Sequence, residues 1–203
     1  KAKYSVNRGL WGTSVGGSET LTSHKGLPEE AYPSQVKKHE KEQVVLTFTK
    51  GELTAVNGNE DTPVKNIEIL QELASQFGIG RDIHVIKAHH LLEKHTLTKW
   101  QMQHKDYMSN WYGMHLHEGQ YLDPVMRNME AFLSDSQANV NGDVYVTLNP
   151  YRFTLEGIKS DNDLMNASFG AYGEMNKGWT ADDAKGFIKI LGNQNKIYNH
   201  VNA

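Results

Sequence analysis

Residues 42–58 read EQVVLTFTKGELTAVNG. Val44, Leu46 and Phe48 alternate with Val45, Thr47 and Thr49, the two-residue period of a strand with one buried face. Lys50-Gly51 then supplies a tight turn, and Glu52–Val56 forms the return strand of a hairpin. Thr62-Pro63 opens a helix, with threonine as the cap and proline at the first helical position. Ile67, Leu70, Ala74 and Phe77 recur at helical spacing, and Gly78 ends the run. RDIHV, residues 81–85, reads as a short strand. From His89 to Met114 the pattern is helical: Leu97, Trp100, His104, Tyr107, Met108 and Trp111 form one stripe, and Gly113 breaks it. His104 on that stripe reads as a hydrogen-bonded core histidine. Asp123-Pro124 starts a helix with Val125, Met129, Phe132 and Leu133 on one side. NGDVYVTLNPYRFTLEGI, residues 141–158, is a second pair of strands. Thr180 caps a last helix with Asp182 and Asp183 in its first turn and a narrow face of Ala184, Phe187, Ile188 and Leu191.

Strands in hairpins with helices grouped between them make an α+β fold with a largely antiparallel sheet, packed helices and a C-terminal helical arm. We divide the chain into residues 1–178 and an arm at 179–203. Residues 1–42 form a loop-rich opening, since WGTSVGGSETLTSHKGLPEEAYPSQ holds neither period for long. A loop of that length is functional or packed on something else.

The 203 residues are 38% hydrophobic and 22% charged, with a formal net charge of -3. That is the make-up of an ordinary globular chain. Acidic and basic residues are mixed, so no basic stripe invites nucleic acid. No apolar run approaches the roughly 18 residues of a membrane span, and KAKYSVNRGL is not a secretory leader. The chain starts at Lys1 and reads as a piece of something longer. It has no cysteine, which removes disulfides and thiolate metal sites and fits a cytoplasmic setting.

Three chemistries deserve weighing. His115, His117 and Glu118 could offer zinc three ligands, but no His-Glu-x-x-His spacing accompanies them, and a turn after Gly113 leaves them at the surface. We expect no metal there. GGSETLTSHKG lacks a Walker lysine, and FGIGRD is followed by a strand in this reading, so neither cradles phosphate. No Gly-x-Ser-x-Gly elbow presents a nucleophile, and no catalytic residue is assigned. Ser5 and Ser14 remain, hydroxyls on a Gly-rich segment beside Tyr4 and Trp11. Such groups can fix a small polar molecule, although serine is also a common turn residue.

YSVNRGLWGTSVGG, residues 4–17, resembles the start of the C-terminal synthetase part of argininosuccinate synthase. The residue 44–58 hairpin, GIGR, HLLEKHTLTKW, the stretch Glu118–Leu148, and GWTADDAKGFIKI match the family in order. The resemblance implies an ATP-dependent ligase that joins L-citrulline to L-aspartate through a citrullyl-adenylate, giving argininosuccinate, AMP and pyrophosphate. It implies Ser5 and Ser14 as citrulline contacts. It implies ATP with Mg held by a Ser-Gly-Gly-x-Asp-x-Ser loop that these residues do not contain, so this chain alone should be inactive. It implies a homo-oligomer, a tetramer, and makes the region around His115 and His117 one of subunit contacts. The rival is a stand-alone small-molecule-binding or oligomerisation module without catalysis. VNRG departs from the acidic and Asn residues usual after the Tyr-Ser dipeptide. A tyrosine contact of the family falls on Ile86, so that role does not transfer. Nothing matches the family's Gly-rich basic segment, which ends in a citrulline-holding Glu. Between His84 and His90 strand passes to helix with no turn residue. We expect an interruption there, with consecutive Cα atoms near Val85–Ile86 much further apart than the usual ~3.8 Å. Continuity would instead mean that the segment is deleted.

Overall fold

The computed structural model describes residues 3–9, 12–22, 24–79, 83–166 and 178–203. They fall into two compact units, residues 1–163 and 164–203.

The first unit is built on a five-stranded antiparallel sheet. Its strands are β3 (Glu42–Thr49), β4 (Glu52–Val56), β5 (Asn59–Glu60), β6 (Gly142–Asn149) and β7 (Arg152–Lys159), in the order β5-β4-β3-β6-β7. The two hairpins expected from the sequence are both present. Lys50 and Gly51 take φ 49 and 79, the left-handed pair that matches strand twist in a two-residue turn. Val44, Leu46 and Phe48 of β3 and Val144, Val146 and Leu148 of β6 are all buried, so the alternation puts one face of both central strands into the core. Helix α1 (Pro63–Ser75) packs on β4. The Thr62 side chain accepts from the Lys65 amide, and Leu70, Ala74 and, just beyond the helix, Phe77 are buried. Gly78 then turns the chain at φ 65, where a Cβ would stand 2.8 Å from Val36 Cγ2.

The region after Gly78 corrects the sequence reading. Helix α2 (Ile83–Thr96) occupies the place assigned to a strand. Ile83 and Val85 satisfy strand alternation, but Val85, Ala88 and Leu92 lie three and four apart, and all three are buried against the sheet. Burial on a helical stripe outweighs the weak β preference of two branched residues. The helix runs through Val85 and Ile86, the place where the sequence reading put an interruption. The strand that counted against a phosphate cradle after FGIG is likewise replaced by a helix, although residues 80–82 lie outside the described set.

Helix α3 (Lys99–His117) carries on through Gly113. A single interior glycine costs a helix only ~1 kcal/mol. The Thr98–Gln101 capping box starts this helix, and its packing on α4 supports it. Of the expected stripe only Leu97, just ahead of the helix, is buried: no residue of α3 is, and His104 lies at the surface. Helix α4 (Pro124–Ser136) begins at the Asp123 cap as expected. It buries Met126 and Met129, while Phe132 faces outward.

The opening segment is not all loop. β1 (Ser5–Gly9) and β2 (Gly12–Gly16) form a separate antiparallel pair. In the second unit, Thr180 and Asp183 cap α5 (Ala181–Leu191) reciprocally. It is followed by α6 (Asn193–Val201), which the sequence reading did not anticipate.

Candidate functional site

The β1–β2 pair positions the two serines singled out by sequence. Ser5 pairs with Gly16 and Asn7 with Ser14. Alternation along both strands therefore puts Ser5, Asn7 and Ser14 on one face of the pair, with Ser5 and Ser14 as diagonal neighbours. All three are exposed. Trp11 lies outside the described residues.

The base of this pair is pinned by charge. Tyr4 donates to Glu19 Oε2 at 2.9 Å, and Lys3 Nζ is 3.4 Å from Glu19 Oε1. The Lys3 ammonium also sits 4.9 Å from the centre of the Tyr4 ring. Glu19's own backbone amide, then the Tyr4 hydroxyl and the Lys3 charge, hold its carboxyl down at about 2. It is an anion that accepts hydrogen bonds at any ordinary pH. Gly17 joins β2 to the one-turn helix bearing Glu19. At φ 122, with the Lys3 carbonyl oxygen 2.7 Å from a would-be Cβ, no larger residue fits.

Hydroxyls and an amide on one exposed face can donate to a carboxylate and accept from an ammonium. Among the described residues, no base is hydrogen-bonded to Ser5 or Ser14, so the face suits binding and positioning, with no activated nucleophile. Elsewhere a concavity of ≈ 360 Å³ is walled by Tyr32, Ser34, Gly78 and Tyr151, where Tyr151 donates to Glu29.

The histidine cluster does not converge. His115 lies in the last turn of α3 with Nδ1 2.8 Å from the Trp111 carbonyl oxygen. His117, two residues on along a helix, points to another side. Among the described residues no three His, Asp or Glu gather as a metal would require. His104 likewise bonds the Trp100 carbonyl.

The sequence reading missed a buried polar network. Glu93 is wholly buried on α2. One oxygen is 2.7 Å from Lys105 Nζ, and the other accepts from Gln137 Nε2 at 2.8 Å. Gln137 Oε1 is 2.9 Å from His89 Nε2. Because the carboxylate can only accept, the Gln137 amide points its nitrogen at Glu93 and its oxygen at His89. His89 must then carry its proton on Nε2. The signal was available: a glutamate beside Leu92, on the stripe of Val85 and Ala88, is a charge on a buried helix face.

A family model described as the arginosuccinate synthase C-terminal domain matches residues 82–198. Among curated proteins the chain is similar to argininosuccinate synthase of Dictyoglomus turgidum, 29% identical over 220 positions, covering 98% of this chain and 55% of the relative. The Pyrococcus furiosus enzyme is 30% identical over 221 positions, covering 96% and 53%. That of Methanocaldococcus jannaschii is 28% identical, covering 97% and 55%. The chain spans about half the length of the curated relatives it matches. These matched stretches exceed its own 203 residues, so the relatives carry inserted residues within the shared region.

Proposed function

The chain belongs to the argininosuccinate synthase C-terminal domain family, and from that premise we propose that it is the synthetase and assembly part of an ATP-dependent carbon–nitrogen ligase of arginine biosynthesis. In this reading the ureido oxygen of L-citrulline attacks the α-phosphate of ATP, releasing pyrophosphate. The amine of L-aspartate then displaces AMP from the citrullyl-adenylate. ATP with its Mg is gripped by residues outside these 203, and the enzyme works in the cytoplasm as a homotetramer. Residues 179–203 serve as the oligomerisation arm. The exposure of Phe187, Ile188, Ile190 and Leu191 on α5 supports that role. None of the described helices is long and apolar enough to cross a membrane.

The observation that carries the reading is the placement of Ser5 and Ser14 on one exposed face, in a chain whose match to the family runs nearly end to end. Two hydroxyls held together can orient citrulline for in-line attack, which is catalysis by positioning. The site is reduced, however. Ile86 stands where the family places a tyrosine, and no residue stands in for the segment ending in Glu. Citrulline binding through the two serines alone should be weak.

That reduction favours a second reading, an assembly module with no chemistry of its own. Titrating L-citrulline into the isotope-labelled chain separates the two by NMR. Saturable shifts at the Ser5 and Ser14 amides, weakened in Ser5→Ala and Ser14→Ala, support the ligase reading. A spectrum unchanged at millimolar citrulline supports the module.

A further inference from the structure

Among the described residues three tyrosine hydroxyls donate to glutamate carboxylates: Tyr4 to Glu19, Tyr112 to Glu130 and Tyr151 to Glu29. Two of these pairs are completed by a cation of the chain. Lys3 Nζ stands 3.4 Å from Glu19 and 4.9 Å from the centre of the Tyr4 ring. The Arg127 guanidinium is 2.6 Å from Glu130 and 4.5 Å from the centre of a second ring, Tyr121. The third pair has no such partner. Among the described residues no basic side chain pairs with the Glu29 carboxylate, and none covers the ring of Tyr32 or Tyr151. The pair opens instead into the ≈ 360 Å³ concavity that Tyr32, Ser34 and Gly78 help to wall.

The walls are fixed. Gln35 Nε2 donates to the carbonyls of Glu29 and Tyr32, at 2.8 and 3.0 Å, and so holds the turn that bears both. Tyr151 sits in the two-residue connection between β6 and β7 at φ 63. That left-handed backbone suits glycine or asparagine and strains a bulky residue. The Tyr151 amide donates to the Phe77 carbonyl at 2.8 Å, and two of its ring carbons stand 3.3 Å from where a Gly78 Cβ would be. Yet Tyr151 is 62% exposed, so core burial does not offset the strain. Strain of that kind gathers at ligand sites. The volume falls at the lower end of the roughly 300–1,000 Å³ of small-molecule sites.

We propose that this concavity binds a guanidinium group supplied from outside the chain. Its parts match those around Arg127: a carboxylate, a phenol that donates to it, and a second phenol ring. A guanidinium can bond a carboxylate through its N–H fork and lie flat against an aromatic face at once, whereas an ammonium is a point charge that holds its water more tightly. No lining residue is basic, so nothing in the wall repels a cation.

Ethylguanidinium titrated into the isotope-labelled chain should give saturable NMR shifts at the Glu29, Tyr32, Ser34 and Tyr151 amides. L-Citrulline, whose ureido group is uncharged, should leave those amides unmoved, and ethylammonium should bind at least ten-fold more weakly. Glu29→Gln should weaken ethylguanidinium binding at least ten-fold. Tyr151→Gly relaxes the left-handed backbone and so keeps the fold, and it should abolish the shifts at the other three amides. N-acetyl-L-arginine amide binding tighter than L-arginine would identify the source as a protein side chain, and the reverse order the free amino acid. Absence of saturable shifts with ethylguanidinium, equal affinity for ethylammonium, or unchanged binding in Glu29→Gln would each overturn the proposal. Citrulline binding at Ser5 and Ser14 reports at different amides, so either result stands without the other.

Discussion

Lys105 Nζ lies 2.7 Å from Glu93 Oε2, and the Glu93 carboxylate is closed off from solvent. Glu93 comes from α2 and Lys105 from α3. The second carboxylate oxygen is bonded to Gln137, the residue that ends α4. One buried charge thus ties together three helices whose local sequences say nothing of one another.

Removing one partner should cost far more than removing both. Lys105→Met leaves a buried carboxylate unpaired and should lower unfolding free energy by about 3–5 kcal/mol. The double change with Glu93→Gln should recover most of that, read from urea midpoints. Burial alone would lower the Lys105 pKa, but its bonds to Asp106 and Glu93 more than offset this and raise it above the ordinary 10.5. The ion pair therefore contributes its full stability below pH 10.5 and loses it as pH climbs through the raised value. Lys105→Met should flatten that alkaline limb.

His89 should make the fold acid-sensitive. Burial pushes its pKa below 6.5. The Glu93 charge and the Gln137 bond oppose that shift, and Lys105 and His90 reinforce it. Below about pH 6.5 the unfolded chain takes up a proton that the folded chain refuses, so stability falls with acidification. His89→Gln should remove this component. Urea titrations at pH 7.5 and 5.5 should show a smaller difference for the variant than for the parent chain.

Two glycines should answer oppositely to alanine. Nothing lies within 4 Å of a Cβ at Gly113, inside the C-terminal part of α3. Gly113→Ala should stabilise by about 1 kcal/mol from helix propensity. Gly78 holds φ 65 against Val36 and Tyr151. Gly78→Ala should cost at least roughly 1–2 kcal/mol from the left-handed backbone alone. Thermal melts should move in opposite directions.

The 203-residue chain alone should make no argininosuccinate. Its sequence contains no Ser-Gly-Gly-x-Asp-x-Ser loop to hold pyrophosphate. Citrulline- and ATP-dependent release of pyrophosphate by this polypeptide, measured with a coupled phosphate assay, would contradict it.

Zinc-soaked crystals should show no anomalous peak within about 2.2 Å of any two of His115, His117 and Glu118. The two histidines project from different sides of α3, and His115 Nδ1 is already committed to the Trp111 carbonyl.

The sequence by itself determined the parts whose causes are local. Lys50-Gly51 dictates the β3–β4 turn, Thr62-Pro63 and Asp123-Pro124 dictate where α1 and α4 begin, and Thr180 with Asp183 fixes the start of α5. Each rests on a few adjacent residues whose backbone preference or side-chain bond suffices. Even the shared face of Ser5 and Ser14 needed only the pairing of two neighbouring strands, but Gly-rich strands carry no alternation to announce it. Tertiary structure alone decided the rest. Residues 83–85 are helical because Val85 has a core to enter alongside Ala88 and Leu92. Gly113 stays helical within a helix that packs on α4. Glu93 can be buried only because Lys105, twelve residues away, and Gln137, forty-four away, arrive at its two oxygens. A charge's partners are set by where helices cross, and that geometry is a property of the packed core and not of any window of sequence.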